Sequence, residues 1–348
     1  VRLSFKVLKK IDFTMLTFQE AKENLKKNGF LNIPVDRSID IIAEIKRLKK
    51  EKNAVILAHY YQIPAIQDLA DYIGDSLGLS QQAASTDADI IMFCGVHFMA
   101  ETAKMLSPDK KVLLPDLNAG CSLASSAPAD IFRLFKQQYP DHLVVSYVNS
   151  SAELKTLTDI CCTSSNAEAI INSIPAEKGI IFAPDRNLGA YLMKKTGRKM
   201  VLWHGVCQVH EMFSWEKITD ALRDHPGAEF IAHPECEPHV LEIADFIGST
   251  SQLLNYVKTS ATKDFIVATE PGILYKMQKE APDKNIYPAP PATTCACNEC
   301  PFMKMNTVEK VYLALKYELP EVTLEPGIIS EGRKCIDKML EISARAGL

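Results

Sequence analysis

Three times along this chain a short apolar run ends in polar residues, and seventeen residues further on a hydroxyl-bearing cluster follows. The runs are Val55–Tyr61, Leu143–Asn149 and Ala228–Glu235. The clusters are Gly74-Asp75-Ser76, Thr163-Ser164-Ser165 and Gly248-Ser249-Thr250-Ser251, so His59 pairs with Ser76, Tyr147 with Ser164 and His233 with Thr250. Each unit then passes through further apolar runs and reaches a cysteine in a polar or Gly/Pro context: Cys121, Cys207 and Cys300. A threefold repeat that delivers one thiol per unit constrains the fold strongly. It calls for a pseudo-threefold protein whose units share a central site.

Between residues 54 and 268, apolar runs of four to six residues alternate with helical patterns; the runs include Val55–Ala58, Ile90–Phe93, Val112–Leu114, Leu143–Val148, Ile180–Phe182, Met200–Trp203, Phe230–Ala232 and Phe265–Ala268. Continuous apolar runs separated by helices belong to parallel strands covered on both faces. The expected fold is α/β: three pseudo-threefold-related units of parallel sheet flanked by helices. The repeat sets the units at 1–125 together with 305–348, at 126–211 and at 212–304. Two helices precede the first strand, over 16–30 (opened by Thr17, closed near Gly29) and over 37–52. The helical segment 305–348 is expected to pack back on the first unit.

The chain has 348 residues, 47% hydrophobic and 24% charged, with a net charge of −4. Neither disorder nor a fibrous structure fits that composition. Nucleic acid and anionic membrane are poor partners for a chain without a concentrated basic run. No apolar stretch approaches the ~20 residues of a membrane span, and the start lacks an export h-region, so a cytoplasmic protein is expected. Residues 1–15 are given no functional meaning. Ten cysteines without an export signal point to metal or redox chemistry rather than to a disulfide framework.

In open parallel sheets, ligands sit beyond the carboxyl ends of the strands. His59/Tyr61, Tyr147/Asn149 and His233/Glu235 all occupy such ends. The hydroxyl clusters precede helical segments, and hydroxyls with free N–H groups at a helix start form an anion site. Three of them would suit a polyanionic small molecule. Glu235, Tyr61, His59 and His233 supply proton donors and acceptors for condensation or dehydration. Three thiolates from distant segments would hold three irons of a 4Fe–4S cluster and leave the fourth open as a Lewis acid. Cys94, Cys161, Cys162, Cys236 and Cys335 lie in apolar or helical surroundings and are expected to be buried hydrophobes. Cys295 and Cys297 with Cys300 make C-x-C-x-x-C, which spacing alone leaves open to a zinc or redox motif. A zinc site at His204, Cys207 and His210 competes, although zinc ligands usually come as two tight pairs. His142, His225 and His239 are assigned no site role.

Taken together, Ala58-His59-Tyr60-Tyr61-Gln62, Gly74-Asp75-Ser76-Leu77, Gly95-Val96-His97-Phe98-Met99-Ala100-Glu101 and Gly120-Cys121-Ser122-Leu123-Ala124 resemble the quinolinate synthase family of de novo NAD biosynthesis. So do Tyr147-Val148-Asn149, Thr163-Ser164-Ser165-Asn166, Pro184-Asp185-Arg186-Asn187-Leu188-Gly189, His233-Pro234-Glu235-Cys236 and Cys300-Pro301-Phe302-Met303-Lys304. The resemblance implies a triangular protein around a 4Fe–4S cluster that condenses iminosuccinate with dihydroxyacetone phosphate to quinolinate, phosphate and two waters. It implies Cys121, Cys207 and Cys300 as cluster ligands, Cys300 because the family ligand directly precedes Pro-x-Met. It implies substrate contacts from His59, Ser76, Tyr147, Asn149, Ser164, His233, Glu235, Ser249 and Thr250, with Glu235, Tyr61 and His233 catalytic. L-Aspartate oxidase is the implied supplier of iminosuccinate. A regulatory disulfide, Cys297–Cys300 or Cys295–Cys297, is a further expectation. The rival readings are an iron–sulfur redox or sensor protein without synthetic activity, and a zinc-dependent hydrolase.

Overall fold

The computed structural model describes residues 17–292 and 298–348. Residues 1–16, Cys295 and Cys297 lie outside the described residues. The described residues form three four-stranded sheets, each wholly parallel and each in the same order. The first holds β1 (Ala54–His59), β2 (Tyr72–Gly74), β3 (Ile90–Cys94) and β4 (Lys111–Leu113), in the order β2-β1-β3-β4. The second holds β5 (Leu143–Tyr147), β6 (Ile160–Cys162), β7 (Ile180–Ala183) and β8 (Val201–Leu202), in the order β6-β5-β7-β8. The third holds β9 (Glu229–Ala232), β10 (Phe246–Ile247), β11 (Asp264–Ala268) and β12 (Asn285–Pro288), in the order β10-β9-β11-β12.

Six of the eight apolar runs become inner strands because both of their faces are covered, and Val112–Leu114 and Met200–Trp203 fall on the edge strands β4 and β8. Ile56, Ala58, Ile90 and Met92 pack with Ile45, Leu48 and Val311 on one side of the first sheet. Leu57, Ile91 and Phe93 pack with Leu79, Ala83 and Met99 on the other. Alternate residues of one continuous run thus feed two cores, as the period-2 geometry of a strand requires. Burial of each such side chain contributes about 1.5–3 kcal/mol. The eight expected runs all fall on strands. The short edge strands β2, β6, β10 and β12 were not visible as runs, because two to four residues with polar neighbours carry no apolar signal.

The seventeen-residue spacing has a structural cause. After the first strand of each unit come a four-residue helix (Pro64–Gln67, Ala152–Lys155, Pro238–Leu241), the edge strand, and a longer helix (Ser76–Ser85, Ala167–Ser173, Thr250–Thr259). An aspartate then fixes the return. Asp71, Asp159 and Asp245 each accept the N–H of a residue fifteen positions earlier, Ile56, Val144 and Phe230, through a side-chain oxygen at 2.8 Å. Each also donates its own N–H to that residue's carbonyl, at 2.9, 3.0 and 2.8 Å. The register is therefore the same in the three sheets, with His59 opposite Gly74 and Tyr147 opposite Cys162.

The helices expected near 16–30 and 37–52 are Phe18–Asn28 and Ile41–Glu51. Thr17 and Glu20 form a capping box on the first, and Gly29 ends it at φ 78°, a left-handed conformation that suits glycine. The segment 305–348 divides. Helix Val308–Tyr317 joins the core of the first sheet. Helix Pro326–Arg345 packs chiefly on the second, where Cys335, Ile336 and Met339 meet Ile160, Cys161 and Ile170. Asn166 there donates to the Ser343 hydroxyl at 2.9 Å. The last helix packs this way because its apolar stripe matches the outer face of β6, while Met105 and Leu106 of the first unit close the contact.

Candidate active site

The three strand ends and the three thiols meet in one cavity. His59, Tyr61, Tyr147, Asn149, His233 and Glu235 line it from the ends of β1, β5 and β9. Ser76, Ser164 and Thr250 line it from the helix starts. Cys121, Cys207 and Cys300 line it from the loops that follow the fourth strand of each sheet. Of the sequence-predicted residues only Ser249 does not. It caps helix Thr250–Thr259, accepting the Gln252 N–H at 3.3 Å, and its hydroxyl meets Ser165 at 2.8 Å.

The helix starts are partly spoken for by the chain itself. Asp75 caps Gly78 N–H at 3.0 Å, and the Asn166 side chain accepts Thr163 N–H at 2.6 Å. Facing the cavity are the hydroxyls of Ser76, Ser164 and Thr250, of which Ser164 meets His233 Nε2 at 3.1 Å and Thr250 meets the Tyr61 hydroxyl at 3.3 Å. Among the described lining residues there is no lysine or arginine. Asn149 Oδ1 and Thr163 Oγ1 are buried without a partner, two polar atoms that a bound molecule could satisfy.

Hydrogen bonds assign the proton positions. His59 Nδ1 accepts the Tyr61 N–H at 3.2 Å and His233 Nδ1 accepts the Glu235 N–H at 3.3 Å, the same bond in two repeats. Both rings therefore carry the proton on Nε2, and His233 Nε2 meets the Ser164 hydroxyl at 3.1 Å. Burial pulls His59 down to about 4 and His233 to about 3, so both are neutral near pH 7.

Glu235 is the centre of a bonded chain. Tyr147 donates to its Oε1 at 2.6 Å, and His210 Nδ1 meets its Oε2 at 3.1 Å. His210 Nε2 lies 3.1 Å from Thr269 Oγ1, which lies 2.7 Å from the Tyr61 hydroxyl. Burial opposes the charge on Glu235, but the rings of His210 and His233 and the bonds from His210 and Tyr147 hold its carboxyl below the usual range. Burial raises both Tyr61 and Tyr147 well above 10, so the phenols stay protonated. The site thus presents a base, Glu235, and two neutral acids.

His210, Thr269 and Glu270 carry no role in the sequence reading. His210 entered only as a zinc ligand, and Thr269-Glu270 follow the run Phe265–Ala268 as a polar strand end. The strand-end rule applied to β1, β5 and β9 finds Thr269 and Glu270 when extended to β11. His142, His225 and His239 lie away from the cavity lining; His225 stacks on Tyr287, ring centroids 4.1 Å apart.

Two donor sets could hold a metal. Cys121, Cys207 and Cys300 are half-buried free thiols, whereas Cys94, Cys161, Cys162, Cys236 and Cys335 are buried in cores as expected. Burial pushes Cys121 up to about 12 and raises Cys207 and Cys300, so these thiols ionise only beside a compensating cation. Three soft sulfur donors fit an iron–sulfur cluster. The second set is Cys207, His210 and Glu235, whose ligand atoms lie within 4.8 Å of one another. His204 is exposed and is not part of it, which corrects the zinc triad expected at His204, Cys207 and His210. The reason is direction: the loop turns His210 inward to Glu235 and leaves His204 facing outward.

Fold and cavity together define a small-molecule enzyme of the α/β class with a candidate metal site at the junction of three repeats. The chain belongs to the quinolinate synthetase A protein family, whose model matches residues 43–341. A quinolinate synthase from Gloeothece citriformis is 63% identical over 304 residues, covering 87% of this chain and 94% of the relative. One from Nostoc punctiforme is 61% identical over 305 residues, 88% of this chain and 94% of the relative. One from Thermosynechococcus vestitus is 61% identical over 306 residues, 88% and 96% respectively. Among the described residues no helix is long and apolar enough to cross a membrane.

Proposed function

We propose that this chain condenses iminosuccinate with dihydroxyacetone phosphate to give quinolinate, phosphate and two waters, in a triangle of three α/β units around a 4Fe–4S cluster held by Cys121, Cys207 and Cys300. The observation that carries the reading is the delivery of one thiol per repeat into the cavity that also holds Glu235 and Tyr61. When bound, the cluster supplies a Lewis acid at its one open iron.

The chain's own residues supply the rest. Ser76, Ser164 and Thr250 receive the carboxylates and phosphate through hydroxyls and helix N–H groups. Asn149 Oδ1 accepts a substrate N–H or O–H. Glu235, ionised and aimed into the cavity, takes the carbon-bound proton lost in dehydration. Tyr61, held protonated, gives a proton to departing hydroxide, and the Thr269–His210 pair keeps its hydroxyl oriented toward the same network as Glu235. His59 and His233 donate from Nε2 as neutral rings, and Ser249 supports the site by capping the helix that begins at Thr250. Burial among three units keeps water from a hydrolysable imine. A cytoplasmic location and supply of iminosuccinate by L-aspartate oxidase belong to the same reading, since free thiols persist in a reducing compartment.

The test is an anaerobic assay for quinolinate from the two substrates, with iron measured on the same sample. About four irons per chain and quinolinate formation support the reading; iron without quinolinate leaves a redox or sensor protein. The closeness of Cys207, His210 and Glu235 favours one second reading, a zinc-dependent hydrolase. One zinc and no iron would establish that reading and remove the first. It has a cost, because both His210 nitrogens already sit in hydrogen bonds that a metal would break.

A further inference from the structure

We propose that Glu270 and Lys304 form a positioning pair that locks the Tyr61 loop to the Cys300 segment, setting the acid–base group and the cluster ligand in one register. The inference rests on the functional reading above. Glu270 stands at the end of β11 and is fully buried. Its Oε1 accepts Lys304 Nζ at 2.8 Å and the Cys300 N–H at 3.2 Å. Its Oε2 accepts the Gly272 N–H at 2.7 Å. Lys304 Nζ donates in turn to the Tyr61 carbonyl at 2.7 Å. Three segments remote in sequence are thereby tied through two side chains.

The packing leaves little slack around them. A Cβ on Gly272 would stand 2.8 Å from the Tyr61 Cα and carbonyl carbon, so the two backbones touch. Gln67 Nε2 adds bonds to the carbonyls of Tyr60, Gln62 and Gly272, at 3.0, 2.9 and 2.9 Å. A displacement of the Cys300 segment therefore reaches Tyr61 through Lys304.

Two observations separate this from an ordinary structural ion pair. First, desolvating a lysine and a carboxylate is costly, and an apolar pair of the same size often stabilises as well or better. A pair between loops whose carboxylate is fully buried and whose lysine is part-buried is therefore better explained by register than by stability. Second, the repeat does not impose it. The register places Cys94, Ala183 and Ala268 at equivalent positions, beside Ala58, Ser146 and Ala232. Two residues beyond them come Val96, Asp185 and Glu270. Val96 has no charge, and Asp185 caps Leu188 N–H with no basic partner in any ion pair. Only the third unit, whose loop carries Cys300, builds the pair among the described residues. Glu270 also differs from Glu235 in its partners, a lysine and two backbone N–H groups in place of a phenol and an imidazole.

The experiment compares Glu270→Gln, Lys304→Met, the double variant and Lys304→Arg with wild type, all after anaerobic iron–sulfur loading. The expected result is a folded, iron-binding protein in each case, with kcat lowered about 10–100-fold and KM changed far less. Iron loss to a ferrous chelator should be about tenfold faster in Glu270→Gln, where the Cys300 N–H has lost its carboxylate, a readout independent of turnover. The double variant should be no worse than the worse single one, because the two residues act as a unit, and Lys304→Arg should recover part of kcat. The pH profile should keep its shape. Wild-type kcat and iron-loss rates in the single variants, multiplicative effects in the double, or a displaced pH limb in Glu270→Gln would each overturn the proposal. Should Glu270→Gln fail to fold, Lys304→Met carries the same comparison. A wild-type protein without iron or quinolinate formation would instead strike at the functional reading, which keeps the two failures distinct.

Discussion

At the scale of single residues, the cavity owes its chemistry to burial acting on unlike groups. Glu235 keeps its charge because Tyr147 and His210 donate to its two oxygens, while His59 and His233 lose theirs because the nearby carboxylates, Asp75 and Glu235 for His59 and Glu235 for His233, offset only part of the desolvation. Glu235→Gln preserves shape and can still accept from Tyr147, but it cannot take a proton. Quinolinate formation should fall about 10²–10⁴-fold while the iron content stays that of wild type. Near-normal turnover would place the base elsewhere. The two histidines make a separate prediction about stability. Their folded values, about 4 and about 3, lie below the ordinary 6.5, so the unfolded chain binds protons that the folded chain refuses. Stability is therefore full above about pH 6.5 and falls as the pH drops toward the folded values, by up to ~1.4 kcal/mol per pH unit for each ring. Urea midpoints of the metal-free protein at pH 7 and pH 5 measure this. The double variant His59→Asn/His233→Asn should show a flatter dependence, and an unchanged slope would locate the acid sensitivity in other groups.

At the scale of elements, the unit of construction is a strand, a four-residue helix, an edge strand and a helix, closed by one aspartate. Asp159 exchanges two hydrogen bonds with Val144, so Asp159→Ala should cost about 1–2 kcal/mol in urea unfolding. Asp159→Asn should cost less, because an amide oxygen still accepts the Val144 N–H. Equal losses for alanine and asparagine would mean that the charge, and not the bond, matters. This device also shows what was legible in the sequence and what was not. Val55–Ala58 and Phe265–Ala268 announce themselves because both faces of an inner strand are apolar. Tyr72–Gly74 and Phe246–Ile247 do not, because edge strands of two or three residues owe their conformation to the neighbouring strand. Asp71, Asp159 and Asp245 were in plain view at a constant distance before each hydroxyl cluster. They passed unnoticed because a lone aspartate before a short strand has no distinctive local pattern. His210 and Thr269 were missed for a related reason: their roles exist only where β9, β11 and the Cys207 loop meet.

At the scale of the whole molecule, three sheets of one topology bring unlike side chains to one cavity. The backbone repeats, so the positions of His59, Tyr147 and His233 follow from the sequence spacing alone. The chemistry does not repeat, since Tyr61, Asn149 and Glu235 stand at equivalent places and only Glu235 is a base. The thiols follow the backbone rule: each comes from the loop after a fourth strand, which is why Cys121, Cys207 and Cys300 converge although some ninety residues separate each from the next. That rule makes a prediction about metal content. Alanine at any one of the three should remove iron and activity together, because two thiols from two loops leave one side of a cluster open to solvent. Cys295 and Cys297 share that stretch of sequence with Cys300, but in the family the ligand is the cysteine directly before Pro-x-Met, which here is Cys300 alone. The double variant Cys295→Ser/Cys297→Ser should therefore retain the iron content and the visible absorption of the wild type after anaerobic loading. If it instead loses the absorption while Cys300→Ala keeps it, the third ligand belongs to the Cys295–Cys297 stretch. In that case Glu270, which accepts the Cys300 N–H, would be holding a residue other than the ligand. The comparison of these two variants on one preparation, with iron and absorbance measured side by side, decides which thiol the third unit contributes.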